Sequence, residues 1–350
     1  MEQLDSGNDR SQSIFNRDAP SNLSPFFSII VPVLNGGDSF ARCLQSVQAS
    51  AFTDRELIVV DDGSSDRSVE IARSFGARLL ETGVRSGPGA ARNLGAKQAA
   101  GRHLFFLDAD CELAPEALSI AAKTLIDRPQ IDALFGSYDD APLAVNFISQ
   151  YKNLMHHFVH QSSREDAHTF WAGCGAIRRE RFGQLGGFDA RRYPRPSIED
   201  IELGYRLKRL GGQIRLEKSM QVKHLKRWTF RSLLRSDVLD RGVPWTQLIL
   251  ESGQGLPDLN LQLRNRLSAL TVVALLGLIP LAFFNRGALL GILLAVIVLI
   301  WLNRGLYAFY YRKRGLRFAL RALPMHWFFY LNNFLAFGLG TLAWLKDKLT

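Results

Sequence analysis

Three acidic groups in this chain have the residue types and spacing for chemistry: Asp61-Asp62, Asp108-Ala109-Asp110 and Glu199-Asp200. In Asp108-Ala109-Asp110 the alternation of an extended strand end sends the two carboxylates in different directions. One can meet a hard divalent cation directly and the other through water or a ribose. Mg²⁺ or Mn²⁺ suits such a pair, because both take oxygen ligands and complete their shells with phosphate. Glu199-Asp200 opens a stretch of helical periodicity, where a carboxylate can take the proton of an attacking hydroxyl. Each group also has a purely structural explanation. Acidic residues are common in turns after strands, and the helix macrodipole favours them in a first helical turn. Carboxylates gathered in one place also repel one another unless something cationic sits among them.

The elements that must position these groups follow from the apolar pattern. Phe27 to Leu34, Glu56 to Val60 and His103 to Leu107 are short apolar runs of the buried parallel type. The second runs directly into Asp61-Asp62 and the third into Asp108, so both deliver carboxylates to the C-terminal edge of an open α/β sheet, where such sheets bind ligands. Asn35-Gly36-Gly37-Asp38 is a turn before a helix near Phe40 to Ala49. Residues 25–225 therefore read as one α/β domain. The first 24 residues, rich in Ser, Asn, Asp and Arg, lack the apolar core of a secretory signal and read as a mobile tail. Cys43, Cys111 and Cys174 cannot pair completely and show no metal-ligand spacing, which fits a reducing compartment. His156, His157 and His160 share a helix with Leu154 and Phe158 on its apolar side and have no carboxylate partner in the pattern, so they read as packing.

The chain has 350 residues, 47% of them hydrophobic, and a net charge of +10. That charge is not evenly spread: Arg206 to Arg321 holds about twenty Lys/Arg against about five Asp/Glu, so the first two hundred residues are mildly acidic. A basic total invites nucleic acid as partner, but these basic residues flank long apolar stretches, which points to a membrane surface instead. The stretches are residues 267–284, 287–303 and 322–345 in a region spanning 266–346. Each is near the ~20 residues needed to cross hydrocarbon, and the first two are short enough that a hairpin only partly entering the bilayer stays open. The basic stretch from Arg304 to Arg321 reads as a cytoplasmic loop. Three crossings then leave the α/β domain cytoplasmic and the C-terminus outside. The expected location is the inner (cytoplasmic) membrane, with multiple passes. Between the two regions, residues 226–265 form a linker in which Lys226 to Trp245 reads as an amphipathic helix. Arg227, Arg231 and Arg235 fall on one face and Phe230, Leu233, Leu234 and Val238 on another, a division suited to the headgroup layer.

The order of these motifs resembles family 2 glycosyltransferases of the GT-A fold. The resemblance runs from about Phe27 to His224 and rests on Val31-Pro32-Val33-Leu34-Asn35, Val60-Asp61-Asp62-Gly63-Ser64-Ser65-Asp66, Gly89-Ala90-Ala91-Arg92-Asn93-Leu94-Gly95 and Phe106-Leu107-Asp108-Ala109-Asp110. Gly186-Gly187-Phe188-Asp189 and Glu199-Asp200 through Arg206 complete it. The fold it implies is a mostly parallel, Rossmann-like α/β sheet. The activity it implies is inverting transfer of one sugar from a nucleotide sugar, with a lean to a UDP-linked donor.

By that resemblance Pro32, Leu34 and Asn35 border the nucleobase and Asp62 accepts a hydrogen bond from it. Gly87 to Asn93, including Arg92, line the donor pocket, and Gly173 lies near the transferred sugar. Asp110, helped by Asp108, holds Mg²⁺ or Mn²⁺ on the diphosphate. Asp200 is the base, with Glu199 beside it. A lipid or lipid-linked acceptor is expected at the cytoplasmic face, positioned by Arg227, Arg231, Arg241 and Trp245. Processive family members carry Q-x-x-R-W on a comparable helix, whereas Asp240-Arg241-Gly242-Val243-Pro244-Trp245 lacks the glutamine, which favours single-sugar transfer. Cys111-Glu112-Leu113 departs from polyprenyl-phosphate sugar synthases, which stay as the alternative with polysaccharide glycosyltransferases. A non-catalytic nucleotide-sugar-binding membrane subunit is the reading from a different class.

Overall fold

The computed structural model describes residues 24–253 and 263–349, so all but the last residue of the 1–24 tail and part of the 226–265 linker lie outside the described residues. The strands are β1 Phe27–Val33, β2 Arg55–Asp61, β3 Arg78–Glu81, β4 His103–Leu107, β5 Cys111–Leu113, β6 Ala133–Tyr138, β7 Asp166–Ala167, β8 Cys174–Arg178 and β9 Ile214–His224. The helices among and after them are α1 Gly37–Ala49, α2 Ser68–Ser74, α3 Pro88–Gln98, α4 Ala117–Asp127, α5 Phe147–Ser162, α6 Arg179–Gln184 and α7 Glu199–Arg209. Beyond β9 come α8 Phe230–Arg235, a π-helical stretch Ser236–Gly242, α9 Val243–Ser252, α10 Leu263–Leu281, α11 Gly287–Leu302 and α12 Arg304–Leu349.

The strands form one sheet in the order β3-β2-β1-β4-β8-β6-β9-β5, with β7 paired to β9. Pairing is parallel from β3 to β4 and mixed beyond it: β8 is antiparallel to β4 and β6, and β5 is antiparallel to β9. The sheet is therefore mixed rather than mostly parallel. Its parallel half alternates with helices, whereas β8 follows the long excursion through α5 and β7 and runs antiparallel to both its neighbours. Every residue of β1 and β4 is buried. Successive side chains alternate faces as a pleated strand requires: Ile29, Val31 and Val33 pack with α1 and α4, while Ile30 packs on the opposite face with α3, α6 and α7. Burying both faces is what demands the uninterrupted apolar runs.

A third apolar cluster joins Tyr151, Leu154 and Met155 of α5 to the bases of α10 and α11 and to α12. The antiparallel pair α10–α11 turns at Phe283–Arg286, and Leu276, Ile279, Leu290 and Leu294 are exposed.

Three expectations about this region change. The helix expected from Lys226 begins at Phe230, because Thr229 and Ser232 form a reciprocal capping box there, and it continues through the π stretch to Ser252. Leu233 and Val238 are buried but Phe230 and Leu234 are exposed, so its apolar residues serve two neighbours rather than one face. The basic stretch after Arg304 is helical, not a loop, up to a break at Gly315 (φ 79°). It is held on the α/β domain by a Lys313–Asp140 ion pair and by the Arg314 guanidinium, which donates to Gln150 Oε1 at 2.7 Å. Finally, the apolar run 322–345 is not a separate helix: it lies within α12, which is long and apolar enough to cross a membrane, and one side of it packs along the helix from Phe230 to Ser252.

Candidate active site

The C-terminal edge of β1, β2 and β4 opens into a cleft of about 730 Å³. Pro32, Leu34, Asn35, Asp62, Gly87, Arg92, Asp108, Asp110, Glu199 and Asp200 all line it, and Arg227 and Arg241 line its far end. The topology places them together because three parallel strands end at the same level and α7 begins opposite them.

The two acidic residues after β2 have different tasks. Asp61 accepts from the backbone N–H groups of Gly63 and Ser64, which ties the turn. Asp62 faces the cleft and accepts from Ser86 N at 2.7 Å, Gly87 N at 2.8 Å and the Thr82 hydroxyl at 2.9 Å. It thereby fixes the loop that enters α3 while keeping lone pairs for a ligand. Gly87 sits at φ 88°, ψ 164°, a region essentially reserved for glycine, and a Cβ there would collide with the carbonyl of Pro194. Gly87→Ala is expected to strain this loop by about 1–3 kcal/mol. If the loop carries all of it, the KM for the donor rises roughly 5- to 150-fold. An unchanged KM measured on folded variant would show that the loop does not shape the donor pocket.

Arg92 is the cation that the crowded carboxylates require. Its guanidinium is buried, donating to Asp108 Oδ1 at 2.6 Å and to Glu199 Oε1 at 3.0 Å. Burial works against its charge, but Asp108, then Glu199 and Asp200, hold its pKa above the ordinary arginine value. Arg92 thus acts through the acidic groups on both sides of the cleft. Glu199 is neutralised by that pair and also accepts from Ser197 N at 2.9 Å, so it positions its neighbour.

Among the described residues Asp200 has no ion pair. Its carboxylate accepts from Ala172 N at 3.1 Å and Ile201 N at 2.8 Å. Burial first, and then the charge of Glu199, push its pKa up to about 6, against the opposing pull of Arg241 and Arg92. A carboxylate so placed is ionised at neutral pH and basic enough to accept a proton.

Four expected site residues lie elsewhere. Asn93 sits behind the cleft wall: its amide donates to Phe188 O at 2.8 Å and accepts from Phe188 N at 2.9 Å, clamping the Gly186–Phe188 turn. Gly173 meets the Trp171 ring and accepts from Asp108 N at 3.1 Å, so it supports cleft residues without facing the cleft. Trp245 packs among Tyr193, Ile198, Tyr205 and Leu248 and donates to Tyr205 Oη at 3.3 Å. Arg231 is exposed outside the cleft. In the other direction, Tyr138, His156, Trp171 and His224 line the cleft and no local pattern marks them. Tyr138 stacks on His156 and His224 and meets Trp171 edge-on. His156 is kept neutral, chiefly by burial and next by Lys152, and His157 bonds to Tyr138 O, so the three helical histidines serve packing.

His224 bears on the metal expected at Asp108 and Asp110. The antiparallel register of β5 and β9 sets His224 opposite Cys111, so its ring reaches Asp110. Its Nδ1 lies 2.8 Å from Asn153 Oδ1 and its Nε2 3.5 Å from Asp110 Oδ2. An imidazole nitrogen beside the carboxylates of Asp108 and Asp110 at the cleft is a donor set that fits a hard divalent ion. Among the described residues no three His, Cys, Asp or Glu converge as a ready-made cage. A divalent ion bound there would draw the rest of its shell from phosphate and water.

Residues 28–186 match the family model Glycosyl transferase family 2. The uncharacterized glycosyltransferase YibD of Escherichia coli strain K12 is 40% identical over 99 residues, which are 27% of this chain and 28% of that protein. Glycosyltransferase AglE of Haloferax volcanii is 36% identical over 108 residues, 29% of this chain and 36% of its own length. The chain thus spans well under half the length of either relative. Among solved structures, the mannosyltransferase PcManGT from Pyrobaculum calidifontis, in complex with GDP-Man and Mn²⁺, aligns over 93% of this chain and 89% of its own, with 17% identity and a TM-score of 0.51. That likeness is one of fold.

Proposed function

Residues 28–186 form a glycosyltransferase family 2 domain on a GT-A fold, and from that premise we propose that the chain is an inverting glycosyltransferase. It moves one sugar from a nucleoside-diphosphate sugar to a hydroxyl of a lipid or lipid-linked acceptor at a membrane face. The observation that carries this reading is Asp200: an unpaired carboxylate facing the cleft with a pKa near 6, beside a neutralised Glu199. A phosphate acceptor is already anionic and would need no such base.

In the proposed reaction the acceptor O–H gives its proton to the Asp200 carboxylate as its oxygen bonds to the anomeric carbon. The bond from that carbon to the diphosphate oxygen breaks on the opposite face, and its electron pair leaves with the nucleoside diphosphate. Asp108, Asp110 and His224 would hold Mg²⁺ or Mn²⁺, which when bound neutralises charge on the departing diphosphate. The complex of the fold neighbour with GDP-Man and Mn²⁺ supports both a nucleotide-sugar donor and such an ion. Arg85 and Arg195 flank the loop that Asp62 ties and suit the donor diphosphate. At the other end Lys226, Arg227 and Arg235 suit a phosphate in the acceptor. Two helices long and apolar enough to cross a membrane, α10 and α12, and the exposed apolar residues of α10 and α11 support a bilayer as the place of reaction.

The test incubates detergent-solubilised protein and native lipid extract with labelled nucleotide sugars of different bases. One donor is expected to yield a product in the lipid phase, and a chelator is expected to abolish its formation until Mg²⁺ or Mn²⁺ is restored. A chelator-insensitive product would overturn the metal assignment. Transfer only to water-soluble acceptors would overturn the lipid one.

A further inference from the structure

We propose that the second arm of α12, residues 316–349, lies in the plane of the membrane surface rather than across it. Only the α10–α11 hairpin then enters the bilayer, and the C-terminus stays on the side of the catalytic cleft. The proposal rests on the membrane-face reading above and replaces three crossings with one re-entrant pair.

The contacts of this arm run in order along the helix from Phe230 to Ser252. Phe328 stacks on Phe230 with ring centres 5.2 Å apart, Ala336 fills the space beside Gly242, and Gly340 sits against Thr246. Near its end Asp347 accepts from Gln247 at 3.2 Å. The opposite flank of that helix is fastened to the catalytic domain. Lys152 and Asp237 form a buried ion pair at 2.5 Å, Ser197 donates to Asp240 O at 2.6 Å, and Arg192 pairs with Glu251 at 2.7 Å. Upstream of Gly315, Lys313 and Arg314 hold the other end of α12 to the same domain. The second arm, which carries Pro324 near its start, is held from Phe328 to Asp347 along a helix fastened to that domain, and so lies along the domain. At 1.5 Å per residue the arm is about 50 Å long, well beyond the ~30 Å of hydrocarbon.

The uncharged run that suggests a span has two unlike faces. His326, Asn332 and Gly340 are turned into the protein together with Ala322, Phe329, Tyr330 and Ala336, while Phe334, Leu335, Phe337, Leu339 and Leu342 are exposed. Arg317 and Arg321 at its start and Lys348 at its end are exposed too, alongside Arg231 and Arg235 of the neighbouring helix. An apolar face bordered by cations fits a bilayer with anionic headgroups. The hairpin differs: its 19- and 16-residue arms are apolar nearly all round, and Phe283 and Phe284 at its tip are 85% and 90% exposed. Its open end is closed at the protein by Asn303, which donates to Ser268 Oγ at 3.1 Å.

All three native cysteines are buried, so a single exposed cysteine can report its side of the membrane. Lys348→Cys and, as a catalytic-domain reference, Glu116→Cys are made in the full chain and treated with an impermeant maleimide in inverted bacterial vesicles. Both are expected to label to the same extent without detergent. Labelling of Lys348→Cys only after permeabilisation would overturn the in-plane arm while leaving the membrane reading intact. Release of the whole protein by a carbonate wash, alone or as a dimer sealed through this face, would overturn both.

Discussion

Asp200→Asn is expected to lower kcat by about 10²–10⁴-fold, the range for removing a general base, while the KM for the donor changes little. Asparagine keeps the shape and its single oxygen can still accept from one of the two N–H groups, Ala172 N or Ile201 N, but it cannot take a proton. The pH profile separates this loss from a structural one. In the parent protein kcat/KM should rise as pH passes through about 6, where Asp200 ionises, and then level. The residual activity of the variant should lack that rise. The sign for stability is opposite to that for activity. A carboxyl whose pKa is higher folded than unfolded disfavours its own ionised form in the fold. Stability therefore falls as pH climbs from the unfolded value near 4 to about 6, and stays lowered above it. At neutral pH the variant is relieved of that penalty but leaves one of the two backbone N–H groups without its acceptor, so its melting temperature should stay within a few degrees of the parent's. An active variant with the parental pH profile would remove Asp200 from the role of base.

Arg92→Met is expected to be the most destabilising single change in the cleft. It strands the Glu199 carboxylate, whose side chain is 6% exposed, and deprives Asp108 of its partner. Breaking a buried ion pair from one side costs about 3–5 kcal/mol. The Glu199 arm should account for most of this, because Asp108 is 33% exposed and water can replace part of what it loses. Glu199→Gln, which leaves no stranded charge on that arm, should cost less. Arg92 also pulls the pKa of Asp200 down, so in any folded Arg92→Met protein the rising limb of the pH profile should move to higher pH. An unchanged melting temperature and pH limb would show that the carboxylates find their counter-charge elsewhere.

Much of this site is legible along the chain because its parts are local. The apolar runs ending in Asp61-Asp62 and Asp108 announce buried parallel strands and the carboxylates at their tips, since burial on both faces leaves no polar alternation. Asp200 reads as the opening of a helix and proves to stand in the second position of α7. His224 is illegible for the opposite reason. Its meaning comes from β5–β9 pairing across more than a hundred residues, and nothing near it in the chain marks that partner. Asn93 misleads because its motif reads as a unit, although on a helix adjacent residues point in different directions. Arg92 therefore faces the acidic groups while Asn93 faces the turn at Phe188.

What the sequence by itself determined is the three parallel strands β1, β2 and β4, the acidic tips, the kind of domain they build and the separation of an acidic half from a basic, apolar one. These depend on periodicity and composition, which are local quantities. Only the tertiary structure decided which carboxylate is neutralised and which stands free, because that depends on where one guanidinium reaches. It also decided that the last apolar run lies against the Phe230–Ser252 helix, which is itself fastened to the catalytic domain. An uncharged stretch records that charge is absent. Whether protein or lipid covers each of its faces is settled by packing.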